Sequence, residues 1–194
     1  MATAENELRL YFENAVERIT HGFTCIESDH AAIHKAEGFS AYLTTATVAA
    51  GASLAMSIIT PTSTASKYLH FKEGTMTLGA SPSSFRFIES GSHTLTTATL
   101  TAYQRNRCRP TSTTQAVIKG NTIATYTSAA GEIILARKDE SSEAGKGVYT
   151  SIDTQEYAEW VLAPGTPYLF VVTNNSGTAT SGHIDLYWYE EDSF

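Results

Sequence analysis

Alternation of apolar and polar residues covers most of the chain after residue 22 and is the main structural signal in the sequence. Successive side chains of a strand point to opposite faces, so alternation predicts one face on a core and one in solvent. Gly and Pro residues separate the runs at roughly the intervals of a two-sheet sandwich. We predict eight to ten strands in an all-β, jelly-roll-like β-sandwich, from the runs FTCIES, FSAYLTTATVAA, SLAMSIITP, KYLHFKEGTMTLG, SSFRFIES, HTLTTATLTAY, NTIATYTSAAGEIILARK, EWVLAPGTPYLFVVTNNSG and HIDLYWYEE.

The run KYLHFKE shows how the alternation assigns faces. Leu69 and Phe71 are predicted to face the core, because they occupy the positions between polar ones. Tyr68, His70 and Lys72 are predicted to lie on the solvent face.

The start of the chain has a different period. Residues 5–18 are predicted to form a short amphipathic helix, with Glu residues near its start, where the helix dipole favours anions. Its apolar stripe can pack on its own domain or on a neighbouring subunit, and the sequence does not separate the two. We therefore divide the chain into an N-terminal helix or arm, 1–22, and a single β-sandwich domain, 23–194. The stripe consists of Leu8, Phe12, Ala15, Val16 and Ile19.

Two polar stretches interrupt the strand pattern. Residues 102–120 are predicted to be a loop, because Pro110 cannot occupy a central strand. Residues 139–157 are polar and contain glycine, and they are too many for a hairpin turn. We predict a second long loop there. Asn174, Asn175 and Ser176 predict a turn between the last two strands.

Composition and charge narrow the classes of function. Charged residues make up only 17% of the chain and the formal net charge is −7, which disfavours nucleic-acid binding because phosphate affinity needs a surplus of Lys and Arg. We find neither a signal-peptide pattern nor an apolar run of membrane-spanning length, so synthesis and folding in the cytosol are expected. Cys25 and Cys108 have no metal or disulfide spacing and are predicted to be reduced, packed thiols.

The sequence gives only weak signals for catalytic or metal-ligating residues. His30 and His34 are four residues apart and follow Cys25 and Asp29, but such a pair is more typical of structural hydrogen bonding than of a metal site. The carboxylates of Glu156 and Glu159 and those at 190–192 are predicted to be solvated charges rather than facing catalytic pairs. We therefore expect no enzyme, no cofactor and no metal.

Three arginines within five residues form the most unusual feature, in the phrase YQRNRCRP. Their charges repel unless carboxylates, carbonyls, phosphates or aromatic faces compensate them. Two hypotheses stay open: the arginines hold the loop by contacts within the same subunit, or they contact another subunit or a capsid. In either case Arg105 and Arg107 are predicted to make charge-assisted contacts. The candidate interface or structural residues are Tyr103, Arg105, Asn106, Arg107, Arg109, His30 and His34.

Three phrases in the same order resemble a widespread group of tailed-bacteriophage virion proteins: SDHAAIHKAEGFSAY, TAYQRNRCRPTSTTQA, and EYAEWVLAPGTPYLFVVTNNSG with IDLYWYE. The resemblance extends from about His30 to Glu190. The chain departs from it at 35–37, at Cys108 and at 164–165. The matching positions are His30, Ile33, His34, Arg105, Asn106, Arg107, Glu159, Trp160, Leu162, Thr166, Tyr168, Trp188, Tyr189 and Glu190.

The resemblance implies a structural role in the virion. It suggests a head-decoration or capsid-cement protein that binds the major capsid protein and itself, as a homotrimer, on the capsid surface. Neither nucleic acid nor membrane is an expected partner. The alternative is a tail-associated receptor- or glycan-binding module that uses Tyr149, Tyr157 or Trp160 to stack on sugars. Trp160 is expected to be a core residue, which ranks this alternative second.

Overall fold

The computed structural model describes residues 28–62, 67–90, 95, 99–108, 112–123, 126–127, 130–140, 148–153 and 159–192. They form one short helix and eleven strands, and every strand pair is antiparallel. The predicted all-β sandwich is confirmed. The elements are α1 (Ser28–Lys35), β1 (Gly38–Val48), β2 (Ser53–Ile59), β3 (Lys67–Leu78), β4 (Ser83–Glu89), β5 (Tyr103–Gln104), β6 (Val117–Ile123), β7 (Ile133–Glu140), β8 (Val148–Asp153), β9 (Trp160–Leu162), β10 (Pro167–Asn174) and β11 (Thr180–Asp192).

The strands form two sheets, and the chain crosses from one sheet to the other between successive strands of β1 to β4. The six-stranded sheet has the order β5-β1-β11-β3-β8, and β9 pairs with β3 beside β8. The five-stranded sheet has the order β6-β2-β10-β4-β7. We set β5 and β6 aside as additions and count β8 and β9 as one interrupted strand. When the eight remaining strands are renumbered 1 to 8 in chain order, the two sheets have the orders 1-8-3-6 and 2-7-4-5. These orders are those of a jelly roll.

The core lies between the sheets and is rich in aromatic rings. Phe87 and Phe170 stack with ring centroids 4.5 Å apart, and Phe71 contacts both at 5.3 and 4.9 Å. Phe39 stacks on Trp188 at 6.0 Å. Buried aromatic pairs add to the free energy of apolar burial, by about 0.5–1.5 kcal/mol each. Phe71 of the six-stranded sheet therefore joins the two sheets through Phe87 and Phe170 of the five-stranded sheet, while the Phe39–Trp188 stack lies within the six-stranded sheet.

A second apolar cluster covers the outer face of the five-stranded sheet. Leu95 and Tyr126, from connecting segments, pack over Leu169 and Val171 of β10. The central strands of this sheet are consequently buried on both faces, which explains why the run SLAMSII of β2 is buried almost throughout.

The end of α1 sets the entry into the six-stranded sheet. Ala36 has a φ of 69°, and the amide of Glu37 donates to the carbonyl of Ala32 at 2.8 Å, which terminates the helix in a left-handed residue. Gly38 then begins β1 so close to the helix that a Cβ there would lie 3.0 Å from Ile33. Because Gly38 has no side chain, β1 can start this close to Ile33 without displacing its side chain.

Several sequence-based expectations need correction. The strand predicted from HTLTTATLTAY is wrong in its described part, where Thr99 forms an isolated bridge and only the end joins β5. The loop predicted at 102–120 includes β5 and the start of β6, and the loop predicted at 139–157 includes β8. The helix at 5–18, the run 23–27 and the boundary at residue 22 lie outside the described residues.

The described helix is short, and it is neither long nor apolar enough to cross a membrane.

Candidate interaction surface

The phrases that carry the resemblance come together at one corner of the sandwich. The Asn106 side chain donates a hydrogen bond to the carbonyl of His34 at 3.4 Å, at the end of α1. The Arg105 amide donates to the carbonyl of Gly38 at 2.9 Å, at the start of β1. The loop that follows β5 is therefore held against the helix end, and this brings two distant phrases into contact.

The third phrase reaches the same corner through Glu190, which is buried in β11. Its backbone amide donates to the carbonyl of Glu37 at 3.0 Å. Its carboxylate accepts hydrogen bonds from a convergent set of donors, so the expectation that it is a solvated charge is wrong. The donors are the Thr114 hydroxyl, the Gln115 amide at 3.1 and 3.0 Å, the Ala116 amide at 3.4 Å and the Trp188 indole nitrogen at 3.3 Å.

Glu159 is also not a solvated charge, and Glu156 lies outside the described residues. Its carboxylate lies 3.0 Å from His70 Nδ1 and accepts a 2.6 Å hydrogen bond from the Tyr189 hydroxyl. The His70 and Tyr189 rings stack at 4.6 Å. His70 is buried by this arrangement, although the alternation placed it in solvent. The cluster is a polar contact between β3, β11 and the residue before β9.

The outer face of the six-stranded sheet carries an arginine on an aromatic ring. The Arg105 guanidinium lies 3.9 Å from the centroid of the Tyr187 ring. Tyr187 pairs with Ser40 in β1, and Ser40 pairs with Tyr103 in β5, so all three positions lie in one row across the sheet. Guanidinium stacking on a tyrosine face compensates part of the charge and fixes the side chain.

Beside this pair stand two exposed tyrosines. Tyr42 and Tyr103 stack with centroids 5.7 Å apart and ring planes 10° apart. Their exposed fractions are 54% and 41%. A hydrogen bond with the Tyr42 hydroxyl raises the pKa of Tyr103. The two rings support each other, so a partner that binds them has little side-chain motion to restrict.

Asp185 completes this surface, because it pairs with Tyr42 across β1 and β11. We call Tyr42, Tyr103, Arg105, Asp185 and Tyr187 the Tyr–Arg surface. It combines exposed apolar ring area with a fixed cation and a carboxylate. This combination suits recognition of a protein surface, because Tyr and Arg are enriched at interface cores and at the residues that dominate binding energy.

We expect Asp185→Asn to raise the melting temperature slightly at pH 7. Partial burial raises the pKa of the Asp185 carboxyl, and the charges of His183 and Arg105 oppose that rise. A raised carboxyl pKa means that ionisation disfavours the folded state, so the penalty is complete above the folded pKa and disappears as the pH falls through it. Thermal melts of both proteins between pH 7 and pH 4 should show the difference shrinking toward acid. A variant that is less stable at pH 7 would mean that the attraction to Arg105 and His183 dominates.

The structure separates the candidate residues that the sequence singled out. Tyr103 and Arg105 lie in the Tyr–Arg surface, and Asn106 holds the loop to α1. Arg107 is exposed and forms no hydrogen bond or ion pair with any part of the chain that the structure describes. His34 lies exposed at the end of α1, and His30 lies within the same helix. Arg109 is outside the described residues.

Cys108 is free, as predicted, but it is exposed rather than packed. Trp160 was expected in the core. It contacts the core ring of Phe87 edge-on at 5.9 Å but retains 37% exposure, so this expectation is wrong in part.

Sequence reasoning missed three members of the Tyr–Arg surface: Tyr42, Asp185 and Tyr187. Their signal was present in the alternation, since Tyr42 lies between Ala41 and Leu43, which pack in or against the core. That pattern assigns a face to each strand. It does not show that β1 and β11 are neighbours.

No group of three or more metal-ligating side chains occurs within the described ranges. The chain matches no family model, no curated protein and no solved structure.

Proposed function

We propose that this chain is a non-enzymatic structural protein of a bacteriophage virion, a decoration or cement subunit that binds the outer surface of the capsid and stabilises it. The observation that carries the proposal is the Tyr–Arg surface, a preassembled set of aromatic and arginine side chains on a broad sheet face. The resemblance to tailed-bacteriophage virion proteins gives the proposal its biological setting. The hydrogen bonds that join the three matching phrases hold together the elements that form the Tyr–Arg surface.

The physical basis is added buried area across capsid subunits. A stable protein interface buries roughly 1,000 Å² or more in total, and Tyr and Arg side chains dominate its energy. Many copies on one lattice act together, so modest individual contacts resist the separation of neighbouring capsid subunits. Self-association as a symmetric homo-oligomer, such as a trimer, would increase this effect.

We expect the double variant Tyr42→Ala with Tyr103→Ala to bind capsids at least about tenfold more weakly, because truncation of central aromatic residues removes the apolar contact. The measurement is binding of purified protein to particles that lack it, followed by sedimentation. Tyr68→Ala is the matched control, because Tyr68 is equally exposed at 41% and lies outside the Tyr–Arg surface. Equal binding by the double variant and the control would remove the Tyr–Arg surface from the proposal.

The copy number of the protein in purified particles tests the proposal as a whole. Quantitative mass spectrometry and electron microscopy of the same sample should show copies in fixed proportion to the major capsid protein, with density on the head. A few copies at the tail would favour the receptor-binding alternative. Absence from the particles would contradict both.

One observation favours that alternative, a tail-associated glycan- or receptor-binding module. Trp160 and its neighbour Val161 are exposed by 37% and 57%, and exposed aromatic rings are the platforms on which sugars stack. Binding to host-envelope polysaccharide distinguishes the two functions, because a capsid cement protein has no need of it.

A further inference from the structure

Basic residues concentrate at the corner where the loop after β5 meets the end of α1. His34 and Lys35 form the last turn of α1, and both are exposed. The Asn106 contact with the His34 carbonyl places the neighbouring Arg105 and Arg107 beside that turn. We call His34, Lys35, Arg105 and Arg107 the basic corner. It lies on a chain whose formal net charge is −7.

The charges at the basic corner are compensated unequally. Arg105 lies on the Tyr187 ring and near Asp185, where its charge opposes the rise in the carboxyl pKa that burial causes. Glu37, an acidic residue that follows α1, is engaged at 2.7 Å by Lys67. Arg107 has no ion-pair partner among the described residues and is exposed. An arginine held in an ordered loop without a counter-charge is suited to a partner that supplies one.

We propose that the basic corner binds carboxylates on the surface of a partner protein, and that the partner in the proposed function is therefore acidic where it meets the Tyr–Arg surface. This inference rests on the proposed function and specifies the chemistry of its partner. A small basic corner on an otherwise acidic protein attracts a local cluster of carboxylates, so charge complementarity favours an acidic protein surface as the partner. A long polyanion such as DNA would also meet the repulsive remainder of the molecule.

The Tyr–Arg surface and the basic corner then have different roles in binding. The aromatic rings provide the buried contact, and the adjacent basic corner lies at its rim, where charges mainly govern the association rate and orientation. Binding should therefore weaken as the salt concentration rises, since exposed charges are screened over about 10 Å at 0.1 M salt.

The test measures binding of the full chain to particles of the encoding phage that lack it, over a series of NaCl concentrations. Arg107→Glu should raise the dissociation constant about tenfold and flatten the salt dependence. Lys138→Glu is the control, because it makes the same charge change on β7 of the other sheet, and it should bind within about twofold of the wild type. Particles whose surface carboxylates have been amidated should bind the wild-type protein as weakly as native particles bind Arg107→Glu.

Four outcomes would overturn the inference. Equal binding by Arg107→Glu and the wild type, or full binding to amidated particles, would show that the basic corner does not bind the partner, while the proposed function stands. Salt-sensitive binding of the wild type to a DNA duplex, abolished by Arg107→Glu, would assign the corner to nucleic acid. Failure of the wild type to bind any particle would contradict the proposed function itself, and this inference with it.

Discussion

Replacement of Glu190 by alanine is expected to lower the free energy of unfolding by about 3 kcal/mol, because it removes the acceptor of several buried and partly buried donors at once. The amides of Gln115 and Ala116 and the indole of Trp188 all donate to this carboxylate. Each buried donor left without a partner costs about 1–3 kcal/mol, and water that enters the vacated space recovers part of that. The segment before β6 would also lose its attachment to β11.

Thermal unfolding measures this effect directly. For a domain of this size a loss of about 3 kcal/mol corresponds to a fall in melting temperature of roughly 6–12 °C. The control is Glu191→Ala at the next position, where the partly exposed side chain should change stability by no more than about 0.5 kcal/mol. If both variants melt at the same temperature, Glu190 does not anchor the loop.

The sequence predicted the strands that bury a regular stripe of large apolar residues. β1 to β4, β10 and β11 all have such a stripe, since alternate positions face the core between the sheets. The prediction failed for HTLTTATLTAY. Its threonines favour extended backbone, but before Thr101 each set of alternate positions holds one large apolar residue, Leu95 in one set and Leu100 in the other. Strand propensity without an apolar stripe gives the chain little to bury.

The strand β8 shows the opposite case. Its sequence lies in a polar stretch that predicted a loop, yet it pairs with β3 from Leu78 to Glu73. An edge strand needs a hydrogen-bonding neighbour on one side only, so its own composition carries a weak signal. The decisive partner is remote in sequence.

Dependence on neighbours that are remote in sequence also explains which residues of the candidate site could be predicted. The phrase YQRNRCRP identified Arg105 from local charge crowding alone. Tyr187 and Asp185 could not be joined to it, because their proximity depends on β5, β1 and β11 being neighbours. Glu190 was misread because a glutamate is usually solvated, and only a remote loop supplies the donors that bury it.

We expect Asn174→Ala to destabilise the opposite end of the sandwich by about 3 kcal/mol as well. Asn174 is fully buried, and its amide nitrogen donates to the carbonyls of Val48, Ala49 and Thr178 at 2.9, 3.2 and 2.8 Å. Its side-chain oxygen accepts from the amide and hydroxyl of Ser176 at 3.0 and 2.6 Å. One side chain thus joins the end of β1 to the connection between β10 and β11.

Alanine at this position would remove the buried hydrogen bonds with the Val48 carbonyl and with the Ser176 amide and hydroxyl, whereas the Ala49 and Thr178 carbonyls would keep the Ala52 amide and the Ser176 hydroxyl as donors. Asn175→Ala is the matched control, because Asn175 is the adjacent residue of the same type and is exposed. Chemical denaturation should show a lower midpoint for Asn174→Ala at an unchanged slope, with Asn175→Ala close to the wild type. Equal midpoints for the two variants would mean that the turn is held by its backbone bonds alone. Because the Asn174 amide is buried and hydrogen-bonded, the sequence Asn174-Asn175-Ser176 acts as a structural turn in the folded protein rather than as a site for a glycan.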